Sequence, residues 1–377
     1  MNILIAPDKF KGSLSATEVC AAIKEGLLSV DSTLNVIELP LADGGEGTCE
    51  LLTSYAGGSM VTLRVRDPLF RTIDSGYGIS KDGKIAFLEM AKASGLQLLK
   101  MDERNPMIGS TVGTGDLIRH ALDRGAEHII MGVGGSATTD GGIGMAEALG
   151  AYFYDASGER LQPVGANLQH IHSLDLSSVH PRLRQVQFTI FCDVDNPLHG
   201  PNGAAYIFSP QKGADARMVS ELDMGLRHYE RVLENTVHRK VNFPGAGAGG
   251  GLPSSIKALA NVTVRPGMDY IIEFTKFEEQ LSVADMVITG EGKIDEQTLS
   301  GKVVKGVADL AARHNKVVVA FAGKTELSEK AFQSLAIRKI ITLTGKDISE
   351  KQAMEKAYGL LHDRVAIFWR NWEPEAT

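Results

Sequence analysis

The chain has 377 residues, 43% of them hydrophobic, and a formal net charge of −7. This length exceeds the size at which one hydrophobic core usually stops growing, so we expect two domains. Lysine and arginine are not concentrated in any stretch, which argues against nucleic-acid binding. No apolar run approaches the roughly 18 residues that cross a bilayer, and the first residues do not resemble a signal peptide. We therefore expect a cytoplasmic protein without a membrane or nucleic-acid partner.

The three cysteines, Cys20, Cys49 and Cys192, show no CxxC spacing. This argues against both a disulfide framework and a zinc site, so we expect free thiols. The ten histidines include no HExxH motif, and we assign no metal chemistry to them.

The chain opens with a predicted strand at residues 2–6, a loop at 7–12, and a helix that begins with a capping box of Ser15 and Glu18. Strands followed by glycine-containing loops recur along the chain, and we predict them at 128–133, 285–289, 316–322 and 339–343. Strands that alternate with helices indicate an α/β fold with parallel pairing. In such folds the functional loops lie at the carboxyl ends of the strands.

The middle of the chain has a different pattern. Short strands joined by turns are predicted at 61–66, 75–80, 84–90 and 187–191. We therefore expect a mixed-sheet α/β domain at residues 67–284, inserted into a parallel-sheet α/β domain made of residues 1–66 and 285–377.

A glycine-rich segment, residues 132–142, follows one predicted strand. Backbone N–H groups of such a loop, together with the dipole of the following helix, attract phosphate. The segment also contains a GxGxxA pattern with Asp155 further along, so a nicotinamide dinucleotide site is an alternative, and a structural turn is another. A run of hydroxyl residues and Asp140 enlarge the loop, which argues against the dinucleotide site. The position of the loop after a strand favours phosphate binding over a structural turn.

Two other glycine segments are less specific. Residues 245–251 fit GxGxxG but follow Pro244 without a clear strand, so they indicate either a loop that permits close backbone or ligand approach or a flexible linker. The segment around Gly323 lacks the first glycine of a Walker A loop, since Val318 stands there. Any ATP site in this chain is therefore of another type.

Acidic residues recur in the glycine-flanked loops at predicted strand ends. Any one acid taken alone is more often a helix cap or a turn former, but the recurrence favours function. Mg²⁺ is bound by a few carboxylates together with water and substrate phosphates, which suits separate loop acids. The acids in question are Asp43, Glu46, Asp193, Asp195, Glu291 and Asp295.

Four lysines lie near these loops: Lys9, Lys11, Lys293 and Lys302. Phosphoryl transfer requires neutralisation of the charge on the transferred group, which lysines, amides and Mg²⁺ supply. The alternative for any one of these lysines is an ordinary solvated surface residue. We favour Lys9 and Lys11 because the loop at 7–12 is short.

The assembled loops resemble the glycerate kinase family of bacterial type. The resemblance lies in APDKFKGSL at 6–14, ADGGEGT at 42–48, GGSATTDGG at 134–142, CDVDNPL at 192–198, GAGGGL at 247–252 and TGEGKID at 289–295. It implies a flavodoxin-like domain with an inserted mixed α/β domain, and phosphorylation of D-glycerate with ATP and Mg²⁺. The product that it implies is 2-phosphoglycerate, with 3-phosphoglycerate as the alternative.

The mechanistic hypothesis divides the loop residues by role. Ser136, Thr138 and the flanking amides would hold ATP phosphates while Asp193 and Asp195 help to hold Mg²⁺. Asp43 or Asp295 would orient the glycerate hydroxyl and accept its proton, and Lys9 or Lys11 would stabilise the transferred group or bind the substrate carboxylate. The candidate catalytic residues are Asp8, Lys9, Lys11, Asp43, Glu46 and Asp295, and the candidate nucleotide-binding residues are Gly134, Gly135, Ser136, Thr138, Asp140, Gly290, Glu291 and Lys293.

Two other classes of function remain at this point. One is a nicotinamide-dependent dehydrogenase that uses the loop after residue 132, and the other is a nucleotide-sensing regulator, which no DNA-binding module supports. The sequence leaves nucleoside preference and homo-oligomer formation open.

Overall fold

The computed structural model describes residues 1–296, 298, 303–328, 331, 334–345 and 348–373. They form two compact units: Met1–Asp43 together with Met268–Thr377, and Gly44–Gly267. The second unit is thus inserted in the chain between the two segments of the first, in agreement with the inserted mixed-sheet domain predicted from the sequence.

The strands, in chain order, are β1 (Asn2–Ile5), β2 (Asn35–Glu38), β3 (Ser59–Arg66), β4 (Thr72–Ile79), β5 (Ile85–Glu89), β6 (His128–Gly132), β7 (Tyr152–Tyr154), β8 (Ser173–Asp175), β9 (Gln187–Phe191), β10 (Asn261–Arg265), β11 (Met286–Ile294), β12 (Val317–Thr325) and β13 (Lys339–Thr342). The helices are α1 (Ala16–Leu28), α2 (Thr48–Tyr55), α3 (Ala91–Ser94), α4 (Val112–Asp123), α5 (Ile143–Ala148), α6 (Ala204–Phe208), α7 (Ala216–Val237), α8 (Leu252–Leu259), α9 (Gly267–Phe274), α10 (Phe277–Val283), α11 (Val303–Arg313), α12 (Glu350–Glu355) and α13 (Ala357–Arg370). Short 3-10 turns occur at Leu96–Leu98, Met101–Glu103, Gly165–His170, Pro181–Arg184, Pro210–Lys212 and Ala248–Gly251.

The first unit has a parallel sheet in the order β13-β12-β11-β1-β2. Renumbered within this unit, the order is the 2-1-3-4-5 arrangement of flavodoxin-like folds. The flavodoxin-like prediction is therefore confirmed. In such a sheet the connection reverses direction between β1 and β11, and ligands bind in the crevice beyond the carboxyl ends of these strands.

Helix α1 shows how local sequence builds this unit. Ser15 Oγ accepts a hydrogen bond from the Glu18 backbone N–H at 3.2 Å, and the Glu18 carboxylate accepts from the Ser15 N–H at 2.8 Å. This is the predicted capping box. Val19, Ile23 and Leu27 recur at helical spacing on the buried face of α1 and pack in the core with β1, β11 and α13.

The second unit has a mixed sheet in the order β10-β9-β6-β5-β4-β3. Strands β5, β6, β9 and β10 run parallel, whereas β4 pairs antiparallel with both β5 and β3. Four parallel strands thus end side by side along one edge of this sheet. The mixed sheet that the sequence predicts for the inserted part is confirmed.

The structure differs from the sequence prediction in the length of a strand and in the edges of the units. Strand β11 continues to Ile294 instead of ending at residue 289, because its pairing with β12 continues through Lys293 opposite Lys324 and Ile294 opposite Thr325. The compact units also divide at different places from the predicted edges: α2 and β3 lie in the second unit, and α9 and α10 lie in the first. The edges of independently folding domains stay a prediction.

Free thiols are confirmed, with Cys20 and Cys49 buried and Cys192 half-buried. Burial raises the pKa of Cys49 to about 12, which leaves this thiol protonated at neutral pH. Over the part of the chain described, no helix combines the length and the apolar character of a membrane span.

Candidate functional site

The glycine-rich loop of the second unit follows β6. Gly134 and Gly135 are exposed, whereas the residues from Ser136 to Asp140 are buried. Gly135 has a φ of 70°, and a side chain at Gly134 would meet no atom within 4 Å. The loop therefore presents bare backbone to solvent directly beyond the carboxyl end of a parallel strand, where phosphate groups commonly bind.

Asp140 supports this loop from the inside. Its carboxylate accepts hydrogen bonds from the Thr111 N–H at 2.8 Å, the Thr111 hydroxyl at 2.7 Å, and the N–H groups of Gly142 and Gly144. Burial raises the pKa of Asp140, and these four donors oppose the rise. The N–H groups of Gly142, which precedes α5, and of Gly144, within its first turn, are thus directed at Asp140.

Lys212, which the sequence analysis did not single out, lies beneath the loop. It is 1% exposed, and its Nζ donates to Ser136 Oγ at 2.8 Å and to the Thr138 carbonyl oxygen at 2.5 Å. Thr138 Oγ1 is buried and has no hydrogen-bond partner among the described residues. A lone lysine in a turn carries no sequence motif, so only the fold reveals this contact.

The glycine run at 245–251 packs against the same loop. Gly249 and Gly250 have positive φ, and a side chain at Gly250 would come within 2.1 Å of the Thr138 carbonyl oxygen. The Gly141 N–H also donates to the Gly250 carbonyl at 2.9 Å. The flexible-linker interpretation of this run is therefore wrong, and the alternative, a loop that permits close backbone approach, is confirmed.

Asp193 and Asp195 lie on the loop after β9, the strand next to β6 in the sheet. Both side chains are exposed, and Asp193 Oδ1 accepts from the Gly267 N–H at 3.1 Å. The described residues contain no group of three or more potential metal-ligating side chains. Two loop carboxylates nevertheless fit Mg²⁺, which completes its coordination shell with water and phosphate oxygens.

Residues 44–48 also lie at this edge of the second unit. A side chain at Gly132 would come within 2.5 Å of the Gly44 carbonyl oxygen, so glycine is required where the two segments meet. Glu46 is exposed. Glu89, at the end of β5, is buried and accepts from the Cys49 N–H at 2.9 Å, which fixes the start of α2. Glu89 was missed because an acid at the end of a strand has no motif of its own.

In the first unit, Asp8, Lys9 and Lys11 follow β1. The Asp8 N–H donates to the Gly290 carbonyl at 2.8 Å, so this loop runs beside β11 at the point where the sheet order reverses. Asp8 is buried; its Oδ1 accepts from the Lys9 N–H at 2.7 Å and lies 3.8 Å from Lys9 Nζ. Lys11 is exposed. Asp43 also belongs to this unit.

Gly290, Glu291 and Lys293 lie on β11 itself, and Asp295 follows it. Lys293 Nζ lies 3.0 Å from Asp295 and 2.7 Å from Glu326, and these carboxylates raise the pKa of Lys293. Glu291 is buried and accepts from Thr298 Oγ1 at 2.5 Å. Lys302 lies outside the described residues.

The structure thus collects the predicted residues at two strand edges. Asp8, Lys9 and Lys11 lie with Gly290 and Glu291 in the first unit, and the loops after β6 and β9 lie side by side in the second. Ligands of α/β proteins bind at polar loops beyond the carboxyl ends of parallel strands. The chain therefore has the site arrangement of a ligand-binding α/β protein.

Comparison with known proteins narrows this class. Residues 3–373 match the model of the glycerate kinase family. A glycerate kinase of Bacillus cereus is 41% identical over 98% of this chain and 97% of its own, and the glycerate 2-kinase of Escherichia coli is 44% identical over 86% and 85%. The crystal structure of a candidate glycerate kinase 2 from Salmonella typhimurium LT2 has a TM-score of 0.88 and 39% identity, covering 98% of this chain and 97% of that one. The chain belongs to the glycerate kinase family and is a kinase.

This result excludes the dehydrogenase and regulator alternatives. Asp155, which would have completed the dinucleotide pattern, lies instead in a turn of its own, where its carboxylate accepts from Ser157 and from the Glu159 N–H. The pattern at Gly132 was therefore a coincidence of glycine spacing.

Proposed function

We propose that this protein transfers a phosphoryl group from ATP to D-glycerate, in the cytoplasm, and that the product is 2-phosphoglycerate. The family and the name of the Escherichia coli relative, glycerate 2-kinase, support the acceptor and the position. The proposal that ATP binds here depends on one observation. Exposed glycines follow β6, and exposed carboxylates follow β9, the neighbouring parallel strand.

In the second unit, the amides of Gly134 and Gly135 and the Ser136 hydroxyl would donate hydrogen bonds to phosphate oxygens. Asp193 and Asp195 would hold Mg²⁺, which when bound neutralises charge on the phosphates. Asp140 and Thr138 lie inside the loop and would maintain its shape. This division of roles follows from exposure and position: Gly134 and Gly135 face solvent, and Ser136, although only 7% exposed, directly follows them.

In the first unit, Lys9 and Lys11 supply positive charge beyond the carboxyl end of β1. They would stabilise the transferred phosphoryl group or bind the carboxylate of glycerate. Buried Asp8 lies beside Lys9 and orients it. Lys293 is less suited to this task because Asp295 and Glu326 already neutralise it. We assign Gly290 to the support of the loop after β1, because its carbonyl accepts from the Asp8 N–H. We assign Glu291 to the support of the segment after β11, because it accepts from Thr298 Oγ1.

The proton of the reacting hydroxyl needs an acceptor. The candidates are the carboxylates of Asp43, Glu46 and Asp295, each at the end of a strand or in a loop. Asp295 is paired with Lys293 at 3.0 Å, which stabilises its ionised form and weakens it as a base. Asp43 and Glu46 are the other candidates for the general base.

The test is turnover by the purified protein with Mg-ATP and D-glycerate, followed by ADP release and by phosphorus NMR of the product. We expect ADP release that depends on both Mg²⁺ and glycerate, and a 2-phosphoglycerate signal. A 3-phosphoglycerate signal would keep the acceptor and overturn the position. Release of ADP without a phosphoglycerate signal, or no release at all, would overturn the proposed function.

A further inference from the structure

A buried lysine lies beneath the proposed phosphate loop with no role in the mechanism so far. Lysine is rarely buried without a partner of opposite charge, because its ammonium loses hydration. Lys212 is held there by its backbone: it ends the turn Pro210–Lys212, and Gly213 follows with a φ of 94°. A side chain at Gly213 would come within 2.3 Å of the Arg104 carbonyl oxygen, so the turn has little room to move.

The acceptors of the Lys212 ammonium define what it can do. Both acceptors with resolved hydrogen bonds, Ser136 Oγ and the Thr138 carbonyl oxygen, are uncharged and belong to the loop after β6. A hydroxyl group has one hydrogen to donate and two lone pairs. Because Ser136 Oγ accepts from an ammonium, its own hydrogen is directed away from Lys212, and the positive charge strengthens it as a donor.

Ser136 is the boundary between the exposed and the buried parts of the loop. It is 7% exposed, directly after Gly134 and Gly135, which face solvent. Its hydroxyl is therefore the polar side-chain group of this loop that lies next to the glycine amides. Lys212 lies one hydrogen bond deeper and acts on that ligand only through Ser136.

The charges around Lys212 set its protonation. Burial lowers the pKa of Lys212 to about 7, and the field of the Asp140 carboxylate opposes this effect. An anion bound at the loop would favour the protonated form further, so binding near neutral pH would take up a proton.

We propose that Lys212 is a positioning residue for nucleotide phosphate: it orients and polarises the Ser136 hydroxyl as a donor and fixes the loop through the Thr138 carbonyl. The inference rests on the proposed function in one respect, namely that the loop binds the phosphates of ATP. It assigns Lys212 no contact with the acceptor substrate.

The experiment measures binding of a non-hydrolysable Mg-ATP analogue by calorimetry in two buffers of different ionisation enthalpy, just above neutral pH. The proteins are the wild type, Lys212→Met, Ser136→Ala, the double variant and Lys81→Met, an exposed lysine of the same unit that serves as the control. We expect Lys212→Met to bind the analogue roughly tenfold to a hundredfold more weakly, the range of a hydrogen bond to a charged group. Proton uptake should occur in the wild type and in Lys81→Met but not in Lys212→Met.

The coupling between Lys212 and Ser136 separates a positioning role from a general loss of stability. Ser136→Ala should weaken binding by a similar factor, and adding Lys212→Met to it should have little further effect. In turnover assays Lys212→Met should raise KM for Mg-ATP while KM for glycerate stays within about twofold. The wild-type KM for Mg-ATP should rise between about pH 6 and about pH 9 more steeply than that of Lys212→Met.

Failure of this inference is distinguishable from failure of the proposed function. If the wild type phosphorylates glycerate but Lys212→Met binds the analogue with unchanged affinity and proton uptake, the inference is wrong and the function stands. If the wild type shows no glycerate turnover but binds the analogue with uptake that Lys212→Met loses, the inference stands with another acceptor. If the wild type does not bind the analogue, both fail. Should Lys212→Met not fold by circular dichroism, unchanged binding by Ser136→Ala would overturn the inference.

Discussion

At the scale of single residues, the candidate lysines differ in what already neutralises them. Lys293 has two carboxylates within 3.0 Å, whereas Lys9 has Asp8 at 3.8 Å. Opposite charges at short range reduce the attraction that a lysine can exert on a ligand. Lys9 is therefore better placed than Lys293 to act on a phosphoryl group or a carboxylate.

Replacing Lys9 by methionine tests this difference. The side chain keeps its approximate length but loses its charge, so we expect kcat/KM for glycerate to fall by roughly a hundredfold. Lys351→Met, at an exposed lysine of the same unit, is the control and should change kcat/KM by less than about twofold. Steady-state kinetics at saturating Mg-ATP measures both. An effect of Lys293→Met equal to that of Lys9→Met would contradict the argument from neutralisation.

Of the two candidate Mg²⁺ ligands, Asp193 has the better defined position, because its Oδ1 accepts a hydrogen bond from the Gly267 N–H at 3.1 Å. Asp193→Asn removes the charge and keeps the shape, so the half-saturating Mg²⁺ concentration should rise roughly tenfold or more. Asp102→Asn, at an exposed acid of the same unit, is the matched control. Turnover as a function of Mg²⁺ at fixed ATP gives both values. Normal turnover with unchanged Mg²⁺ dependence in Asp193→Asn would remove it from the metal site.

The sequence predicts site residues well where they fall in glycine-flanked segments, and poorly where they are single. Ser136 and Asp193 were identified because their loops have recognisable composition. Lys212 and Glu89 were not, because their importance comes from what the fold brings next to them: the Ser136 hydroxyl for one and the Cys49 N–H for the other. Contacts between distant segments leave no trace in local spacing.

At the scale of elements, the loop after β6 can be tested by adding a methyl group where the protein itself has room. A side chain at Gly134 would meet no atom within 4 Å. Gly134→Ala should therefore leave the free energy of unfolding within about 0.5 kcal/mol of the wild type. If phosphate lies against this glycine, KM for Mg-ATP should rise roughly tenfold, since about 1.4 kcal/mol of binding would be lost.

Two control variants accompany the measurement on Gly134→Ala. Gly359→Ala lies on the exposed face of α13, where a side chain also meets nothing within 4 Å, and it should leave KM for Mg-ATP unchanged. Gly250→Ala places a methyl group within 2.1 Å of the Thr138 carbonyl, so it should lower both the melting temperature and the affinity for ATP. Wild-type KM in Gly134→Ala would move the phosphates away from this loop.

Pairing of β6 and β9 gives the second unit an acid sensitivity. His128, on β6, forms a 2.8 Å hydrogen bond to Thr189 on β9, and burial lowers the pKa of His128. Its contribution to stability is therefore present above the unfolded pKa of about 6.5 and is lost as the pH falls through the folded value. The difference between the urea midpoints measured at about pH 7.5 and at about pH 5 should be smaller for His128→Gln than for His170→Gln, an exposed control. Equal convergence would show that other groups cause the acid sensitivity.

At element scale most strands were predicted, but β2, β7, β8 and β10 were not, and the predicted strand lengths were not always correct. The predicted strand at 187–191 has the same bounds as β9, because an apolar run there meets turn residues on both sides. The predicted strand at 285–289 was too short, since glycine at 290 was taken to end it. In the fold, a side chain at Gly290 would come within 2.2 Å of the Phe321 carbonyl, so this glycine allows β12 to pair closely instead.

At the scale of the whole molecule, each compact unit contains its own hydrophobic core. One buried cluster extends from Val65 to Ala260 and lies inside the second unit, and the other, from Ile3 to Phe368, uses residues of the first unit only. The parallel-then-mixed pattern of strands predicted this division. The positions of the edges needed the structure, because β3 joins the second unit by pairing with β4 along its whole length.

The two ends of the inserted unit meet. A side chain at Gly44 would come within 3.0 Å of Gly267 Cα, so the chain enters and leaves this unit at one place. Segments whose ends are close can be excised or inserted without breaking their own fold. We therefore expect residues 44–267, expressed alone, to fold with the circular dichroism of an α/β protein and one cooperative thermal transition.

The same fragment tests where the nucleotide is held. The loops at 134–140 and 192–198 both lie within residues 44–267, so the proposed phosphate and Mg²⁺ groups are present in it. Mg-ATP at about a hundred times its Kd should raise the free energy of unfolding of the fragment by about 2.7 kcal/mol. Mg²⁺ with D-glycerate but no nucleotide is the control for non-specific effects of ligands. A folded fragment whose melting temperature does not respond to Mg-ATP would show that residues of the first unit are needed for nucleotide binding, and would reassign that role to Lys9, Lys11 or the β11 segment.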